Sequence, residues 1–206
     1  MIKFRKRSLA AFAITASALI LGTSLPASAT TGEDGFPILS ARYGDSAHVC
    51  GVVGSYGGYQ GVVCADIITS EVTPTDYYAY GRVWAYCQKG SGSTAVNVQC
   101  AQVDFGGELS DEAAGYVDGV GIAVCGHQYG ACSTSRNELS TYPVQIGYTS
   151  NSNCGEDPNS DHDVWMNVLQ GAGIELPVYD KWVYLESGSG ANDGSNFSTG
   201  HYYVCA

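Results

Sequence analysis

Basic residues are scarce in this sequence, and they are unevenly placed. Nine lysines and arginines stand against twenty aspartates and glutamates, and four of the nine lie within the first seven residues. Residues 30–206 therefore carry five basic and twenty acidic side chains, a formal charge of −15. Because a surface of that sign repels phosphate backbones and anionic membranes, we expect no nucleic-acid partner.

Long apolar runs are lacking after the amino terminus. The first 29 residues combine a basic start, an apolar stretch and the small-residue site Ala27-Ser28-Ala29, which is the pattern of a cleaved secretory signal. The apolar stretch falls short of the roughly 20 strongly apolar residues of a membrane helix; an uncleaved anchor is the alternative. We therefore predict a signal peptide over 1–29, one domain over 30–206 and a secreted product with no membrane span after cleavage.

Closely spaced cysteine pairs of the metal-binding type are also lacking, although the chain has eight cysteines. An even number in an exported chain indicates a disulfide framework. We predict that neighbours in sequence pair with each other and that the last pair closes a long C-terminal loop. The predicted disulfide cysteines are Cys50, Cys64, Cys87, Cys100, Cys125, Cys132, Cys154 and Cys205.

Extended patterns dominate the domain. The runs AHVCGVV and GVVCADII are rich in β-branched residues and flank the glycine- and tyrosine-rich loop 54–60. An antiparallel hairpin that places Cys50 opposite Cys64 also places His48 opposite Asp66, with apolar pairs between and beyond them. The two runs therefore predict a disulfide-clamped hairpin.

The same plan recurs further along the chain. Residues 83–100 and 121–134 each hold two cysteines around a short glycine-containing loop. In the first of these segments, a register that pairs its cysteines places Trp84 opposite Val103. We also expect strands over 181–187 and 200–206 because both segments are rich in aromatic and β-branched residues.

Helical signal is confined to two segments. In 160–171, Ser160 is a candidate N-cap, and Val164 and Val168 lie four residues apart on one helical face. A weaker helix is expected to start at Ser110. The sequence thus predicts a mainly β fold: a single disulfide-stabilised sandwich or small barrel built from antiparallel hairpins, with one or two short helices.

One tripeptide carries a catalytic pattern. Gly44-Asp45-Ser46 resembles the sequence around the nucleophile of chymotrypsin-like proteases and of GDS-type esterases, but the two glycines that follow in the proteases and the late Asp-x-x-His of the esterases are missing. His48, opposite Asp66 in the predicted hairpin, could act as a base that a carboxylate orients. The weak catalytic candidates are Ser46, His48 and Asp66; the alternatives are a turn and an ordinary cross-strand ion pair.

An acidic loop carries the only cation-binding pattern that we recognise. Asp157, Asn159, Asp161 and Asp163 alternate along it, as oxygen ligands do in calcium loops, although the glycine and the terminal glutamate of an EF-hand are missing. A structural calcium is therefore one interpretation. A solvated turn, whose carboxylates stabilise the start of the following helix, is the other. We expect no further cofactor.

Tyrosine is abundant, with fifteen residues in the chain. Tyrosine combines a flat apolar ring with a hydroxyl group, so it serves recognition loops well, although strands also favour it. The loop 54–60 exposes Tyr56 and Tyr59 as ligand-binding candidates.

The function expected from these features is a secreted, disulfide-stabilised binding or structural module. Its extracellular or cell-surface ligand is unknown, and tyrosine-rich loops favour cell-wall or other extracellular carbohydrate. The composition is typical of bacterial exoproteins, and no motif is specific enough to name a family. Two alternatives stay open: a secreted hydrolase of the esterase or protease type, and a small protease inhibitor that uses the disulfide-anchored loop 126–131.

Overall fold

The fold is built almost entirely of strands, as the sequence predicts. The computed structural model describes residues 36–74, 76–111, 116–120, 123–146, 162–169, 173–185 and 197–205. These residues form sixteen strands, numbered β1 to β16 along the chain, in three sheets. Their helical elements are two 3₁₀ turns, Ala41–Tyr43 and Gly92–Thr94. None of the described helical elements is long or apolar enough to cross a membrane.

Sheet 1 is organised around a meander of three long strands. It contains β2 (Ser46–Tyr56), β3 (Tyr59–Thr73), β4 (Asp76–Lys89), β5 (Val96–Val98), β10 (Asn137–Ser140) and β11 (Val144–Ile146). The β2–β3 hairpin reverses at Gly57 and Gly58, whose φ angles of 60° and 81° suit the two-residue turns of β-hairpins. The predicted register is confirmed, since Cys50 pairs with Cys64 and His48 pairs with Asp66.

Two smaller sheets complete the molecule. Sheet 2 contains β1 (Ile38–Ser40), β7 (Gly107–Asp111), β8 (Tyr116–Val120), β12 (His162–Val168), β15 (Phe197–Ser198) and β16 (Tyr202–Cys205). Sheet 3 contains β6 (Gln102–Asp104), β9 (Ala123–Cys125), β13 (Gly173–Glu175) and β14 (Trp182–Tyr184), in the order β14-β13-β6-β9. Pairing is antiparallel throughout the described strands except between β1 and β16.

Sheets 2 and 3 pack against the same face of sheet 1 and form a sandwich with it. On the sheet 2 side, Gly81 of β4 approaches Met166 of β12 so closely that a Cβ at Gly81 would overlap the methionine sulfur. On the sheet 3 side, a Cβ at Gly61 would lie 2.9 Å from Val183 and 3.1 Å from Ile174. Glycine at these points of sheet 1 therefore lets the layers come together, and the apolar core lies between them.

Three disulfides follow the predicted pairing. They join Cys50 to Cys64, Cys87 to Cys100 and Cys125 to Cys132. Cys205 is also disulfide-bonded, and Cys154, its predicted partner, lies outside the described residues. Because disulfides persist in oxidising compartments, these bonds indicate a protein that folds outside the reducing cytosol.

The predicted helix over 160–171 is wrong in its described part, where the chain forms β12. Val164 and Val168 lie four residues apart, a spacing that fits one face of a helix and equally one face of a strand. Met166 between them is fully buried with both valines, and Trp165 is only partly buried. Alternation of period two, and pairing with β7 and β16, thus override the helical interpretation.

Two further expectations are wrong. Ser110, the expected start of a second helix, lies in β7 and pairs with Trp165 of β12. The register of the second hairpin differs as well, because Cys87 pairs with Val98 and not with Cys100. After β5 the chain leaves sheet 1, so the Cys87–Cys100 disulfide ties a strand to a connection between sheets. Val103, the expected partner of Trp84, lies in sheet 3.

Candidate functional site

Sheet 3 presents polar and aromatic side chains on the surface that faces away from sheet 1. Alternation along its strands places Val103, Ile174 and Val183 against the core between the sheets. The intervening side chains point to the opposite side, and the register of β6, β13 and β14 sets them next to one another. This outer face of sheet 3 consists of Gln102, Asp104, Gly173, Glu175, Trp182 and Tyr184.

Two aromatic rings stack against each other on the edge strand β14. The ring centroids of Trp182 and Tyr184 are 5.9 Å apart, and their planes are inclined by only 12°. Gly173 lies opposite Tyr184 on β13 and leaves room for both rings, since a Cβ there would lie 3.0 Å from Tyr184 and 3.2 Å from Trp182. Tyr184 is 54% exposed, so the stacked pair offers apolar ring surface to a ring-shaped ligand.

Two carboxylates next to the aromatic pair have oxygen atoms without hydrogen bonds. Glu175 is only 9% exposed, and its Oε2 is a buried atom with no hydrogen-bond partner among the described residues. Oδ1 of Asp104 is likewise a buried atom with no hydrogen-bond partner among the described residues. Its Oδ2 accepts a hydrogen bond of 2.7 Å from the side-chain amide of Gln102. A buried carboxylate oxygen without a hydrogen bond is costly, so a ligand that displaced the side chains covering these two atoms could donate hydrogen bonds to them.

An open cleft adjoins this face. It has a volume of about 440 Å³ and is lined by the disulfide-bonded Cys100 and Cys132 together with Gly126, His127 and Pro177. Nε2 of His127 lies 3.5 Å from Oε2 of Glu175, and the imidazole is 74% exposed. The cleft and the outer face of sheet 3 therefore meet at this pair, and the cleft is of the size that small-ligand sites have, about 300–1,000 Å³.

The predicted catalytic residues are only partly brought together. Nδ1 of His48 lies 2.7 Å from Oδ1 of Asp66, as in a base that a carboxylate orients. The other ring nitrogen faces Sγ of Cys50 at 3.3 Å. The side chain of Ser46 makes no hydrogen bond within the part of the chain that the structure describes, so the pair has no hydroxyl nucleophile in hydrogen-bond contact.

Asp66 is instead the centre of an ion cluster on the outer side of sheet 1. Besides His48, its carboxylate accepts hydrogen bonds from the guanidinium groups of Arg82 (2.8 and 2.5 Å) and Arg136 (3.2 Å) and from the indole of Trp84 (3.3 Å). The guanidinium of Arg136 also lies over the Trp84 ring, 4.3 Å from its centroid. A carboxylate with so many partners is typical of a structural cluster.

Two opposing effects set the pKa of Asp66. Burial raises the pKa of this carboxyl, and hydrogen bonds from His48, Arg82 and Trp84, with the charge of Arg82, lower it. The lowering effects prevail, so the pKa of Asp66 lies below its usual value of 3.8. The cluster therefore holds Asp66 ionised at neutral pH.

The predicted tyrosine loop is a tight hairpin end. Tyr56 and Tyr59 lie opposite each other across the turn. Nζ of Lys181 lies 5.0 Å from the ring centroid of Tyr56, and Nζ of Lys89 lies 5.5 Å from that of Tyr59. The structure thus gives each tyrosine a cationic partner, and their role as ligand-binding residues stays a prediction.

The predicted calcium ligands fall mostly outside the described residues, since only Asp163 of the four is within them. Asp163 lies in β12, where it is buried and contacts Nδ1 of His201 at 2.8 Å. His162 contacts Asp111 in the same way at 2.5 Å. Each of the four histidines of the chain therefore lies next to a carboxylate.

One group of side chains of the types that bind metal ions occurs among the residues that the structure describes. His48, Cys50 and Cys64 bring ligand atoms within 4.8 Å of one another. Both sulfurs belong to one disulfide, so neither offers a thiolate to a metal ion.

The inhibitor hypothesis receives no support from the loop 126–131. The backbone N–H of Gly126 donates to the carbonyl of Gly130 at 2.7 Å, and that of Tyr129 donates to the carbonyl of Gly126 at 2.6 Å. The loop is therefore a compact, mostly exposed turn, and its role in protease inhibition stays a prediction.

The outer face of sheet 3 is absent from the sequence-based candidates. Its residues come from three strands, of which β6 lies about 70 positions before β13 in the sequence, and each strand contributes only two of them. The signal that could have found it is spacing: Gln102-x-Asp104, Gly173-x-Glu175 and Trp182-x-Tyr184 each place two side chains on one face of a strand. Comparison with protein-family models, with curated proteins and with solved structures finds no match for this chain.

Proposed function

We propose that the protein is secreted and binds an extracellular carbohydrate on the outer face of sheet 3. The observation that carries this proposal is the position of the Trp182–Tyr184 pair directly beside Glu175 and Asp104, two carboxylates that each have one oxygen atom without a hydrogen bond among the described residues. A sugar ring has an apolar face of C–H groups and a rim of hydroxyl donors. It can therefore stack on the aromatic pair while its hydroxyl groups donate to the carboxylates.

The rest of the molecule suits a rigid binding surface. The Cys87–Cys100 and Cys125–Cys132 disulfides flank the cleft beside Glu175 and hold its two walls. Gly173 keeps the aromatic rings against the sheet. A surface that is already formed before the ligand arrives loses less conformational entropy on binding. These features support binding, and none of the described serine, threonine or tyrosine hydroxyl groups makes a hydrogen bond with His48 or Asp66.

The proposal is tested by retention of the oxidised protein on insoluble cellulose, chitin, chitosan and purified bacterial cell wall. We expect retention on at least one matrix, and a loss of about tenfold or more in affinity for Trp182→Ala, as for an aromatic anchor at the centre of an interface. Tyr179→Ala is the matched control, since Tyr179 precedes β14 and is 95% exposed. Its removal should leave retention unchanged.

Two results would contradict the proposal. One is a protein that no matrix retains. The other is a Trp182→Ala variant that is folded and retained like the wild type. Tyr56→Ala, in the same assay, distinguishes binding at the outer face of sheet 3 from binding at the end of the β2–β3 hairpin. If only Tyr56→Ala loses retention, the ligand binds at the tyrosine loop instead.

A further inference from the structure

We propose that the outer face of sheet 3 selects glycans that carry free, protonated amino groups over neutral glycans. This inference rests on the carbohydrate binding proposed above and specifies its ligand class. It follows from the charge of the surface: two carboxylates lie next to the aromatic pair, and among the described residues His127 forms an ion pair with Glu175, whereas no lysine or arginine forms one with either carboxylate. An ammonium group on the sugar would supply the missing charge.

The burial of Glu175 makes the charge of the ligand matter. Glu175 is only 9% exposed, and its Oε2 has no hydrogen-bond partner among the described residues. A hydroxyl group offers such a carboxylate a neutral hydrogen bond, whereas an ammonium group offers a charge-assisted one. Charge-assisted hydrogen bonds are roughly twice as strong as neutral ones, and the difference grows where water is excluded.

Four of the five basic residues of the domain have partners elsewhere. Arg82 and Arg136 bind Asp66 on the opposite layer of the sandwich, and Lys89 and Lys181 lie over tyrosine rings. Among the described residues, the basic side chain that contacts Glu175 is that of His127. Its imidazole is largely exposed, so it can move aside when a ligand enters between the cleft and the aromatic pair.

The aromatic pair suits an amine as well as it suits a sugar ring. Elsewhere on this chain, ammonium groups rest over tyrosine rings at 5.0 Å (Lys181 over Tyr56) and 5.5 Å (Lys89 over Tyr59). An amino sugar that stacks on Trp182 and Tyr184 would place its ammonium group near the same kind of ring and beside Glu175. Attraction between a cation and an aromatic face therefore adds to the attraction of the carboxylate.

The test compares three hexasaccharides by isothermal titration: the glucosamine hexamer, its fully N-acetylated form and cellohexaose. We expect the glucosamine hexamer to bind roughly tenfold or more tightly than either neutral hexamer, and the difference to shrink at high salt. Glu175→Gln should remove most of this preference, because it lowers the affinity for the glucosamine hexamer more than the affinity for the neutral hexamers. Asp104→Asn serves as a second variant in case the first fails to fold.

Glu71→Gln is the matched control, because it changes the net charge equally at an exposed position of β3. It should leave the preference intact. Equal affinity for all three hexamers would overturn the inference while the proposed carbohydrate binding stands. A preference that survives in both Glu175→Gln and Asp104→Asn would also overturn it. If none of the three hexamers binds, the inference is overturned, and retention on purified bacterial cell wall decides whether the proposed carbohydrate binding stands.

Discussion

Replacement of Asp66 by asparagine tests whether the ion cluster on sheet 1 is structural. The side chain of Asp66 is 5% exposed, and its partners Arg82 and Arg136 are 23% and 37% exposed. Removal of one member of a fully buried ion pair costs about 3–5 kcal/mol. Since both guanidinium groups can regain part of their hydration, we expect Asp66→Asn to lower the free energy of unfolding by about 2–3 kcal/mol at pH 7.

The pH dependence of this loss has a definite sign. The pKa of Asp66 in the folded protein lies below the unfolded value of about 3.8, because hydrogen bonds from His48, Arg82 and Trp84 outweigh the effect of burial. The carboxylate therefore stabilises the fold fully above about pH 5, and this contribution is lost as the pH falls below about 4 and through the folded pKa. The difference in the free energy of unfolding between wild type and Asp66→Asn should be constant from pH 5 to 7 and should shrink below pH 4.

Urea unfolding followed by tryptophan fluorescence, at several pH values between 7 and 2.5, measures both the loss of stability at pH 7 and its pH dependence. Carboxylates other than Asp66 titrate in both proteins, so their effects largely cancel in the difference. Glu71→Gln controls for the change of net charge and should shift stability by less than about 0.5 kcal/mol. A difference for Asp66→Asn below that limit at pH 7, or one that does not change down to pH 3, would refute the reasoning.

Two further predictions concern the framework. Replacement of Cys87 and Cys100 by alanine opens a loop with a sequence separation of 13 and should cost about 3 kcal/mol in urea unfolding under oxidising conditions; a change below about 1 kcal/mol would show that this bond is dispensable. Gly81→Ala should cost about 1–3 kcal/mol, since its Cβ would overlap the sulfur of Met166. In double-mutant cycles, Gly81→Ala combined with Met166→Ala should cost less than the sum of the single changes; strict additivity would contradict the close approach.

The β2–β3 hairpin was predictable from sequence because its determinants are local. Its two runs lie next to each other along the chain, and one register satisfies the Cys50–Cys64 pair and the His48–Asp66 pair together. The turn between them carries Gly57 and Gly58, the residue type that a tight reversal requires. Local patterns of this kind define strand pairs without knowledge of the rest of the fold.

Strand β12 shows where local patterns mislead. Val164 and Val168 satisfy both helical and strand periodicities, and Ser160 adds a helix-start signal. The segment forms a strand and not a helix because it lies between β7 and β16 and pairs with both, with its even-numbered residues facing sheet 1. That arrangement depends on tertiary pairing, which outweighs intrinsic propensity.

The candidate binding face could not be assembled from sequence because it depends on pairing between distant segments. Glu175 lies opposite Gln102 on one side and opposite Trp182 on the other. No local pattern links these three residues. The sequence did favour carbohydrate recognition by aromatic side chains, but it pointed to Tyr56 and Tyr59, where clustering along the chain made tyrosine conspicuous.

The central claim, that a glycan binds the outer face of sheet 3, is tested most directly by the indole N–H signals of the three tryptophans. Trp84 lies in the ion cluster of sheet 1, Trp165 lies in sheet 2 and Trp182 lies on the proposed face. In a ¹⁵N-correlated NMR titration with the glucosamine hexamer, signals assigned by Trp→Phe variants should show a saturable shift of Trp182 alone. A titration in which Trp84 or Trp165 shifts while Trp182 stays unchanged would contradict the account.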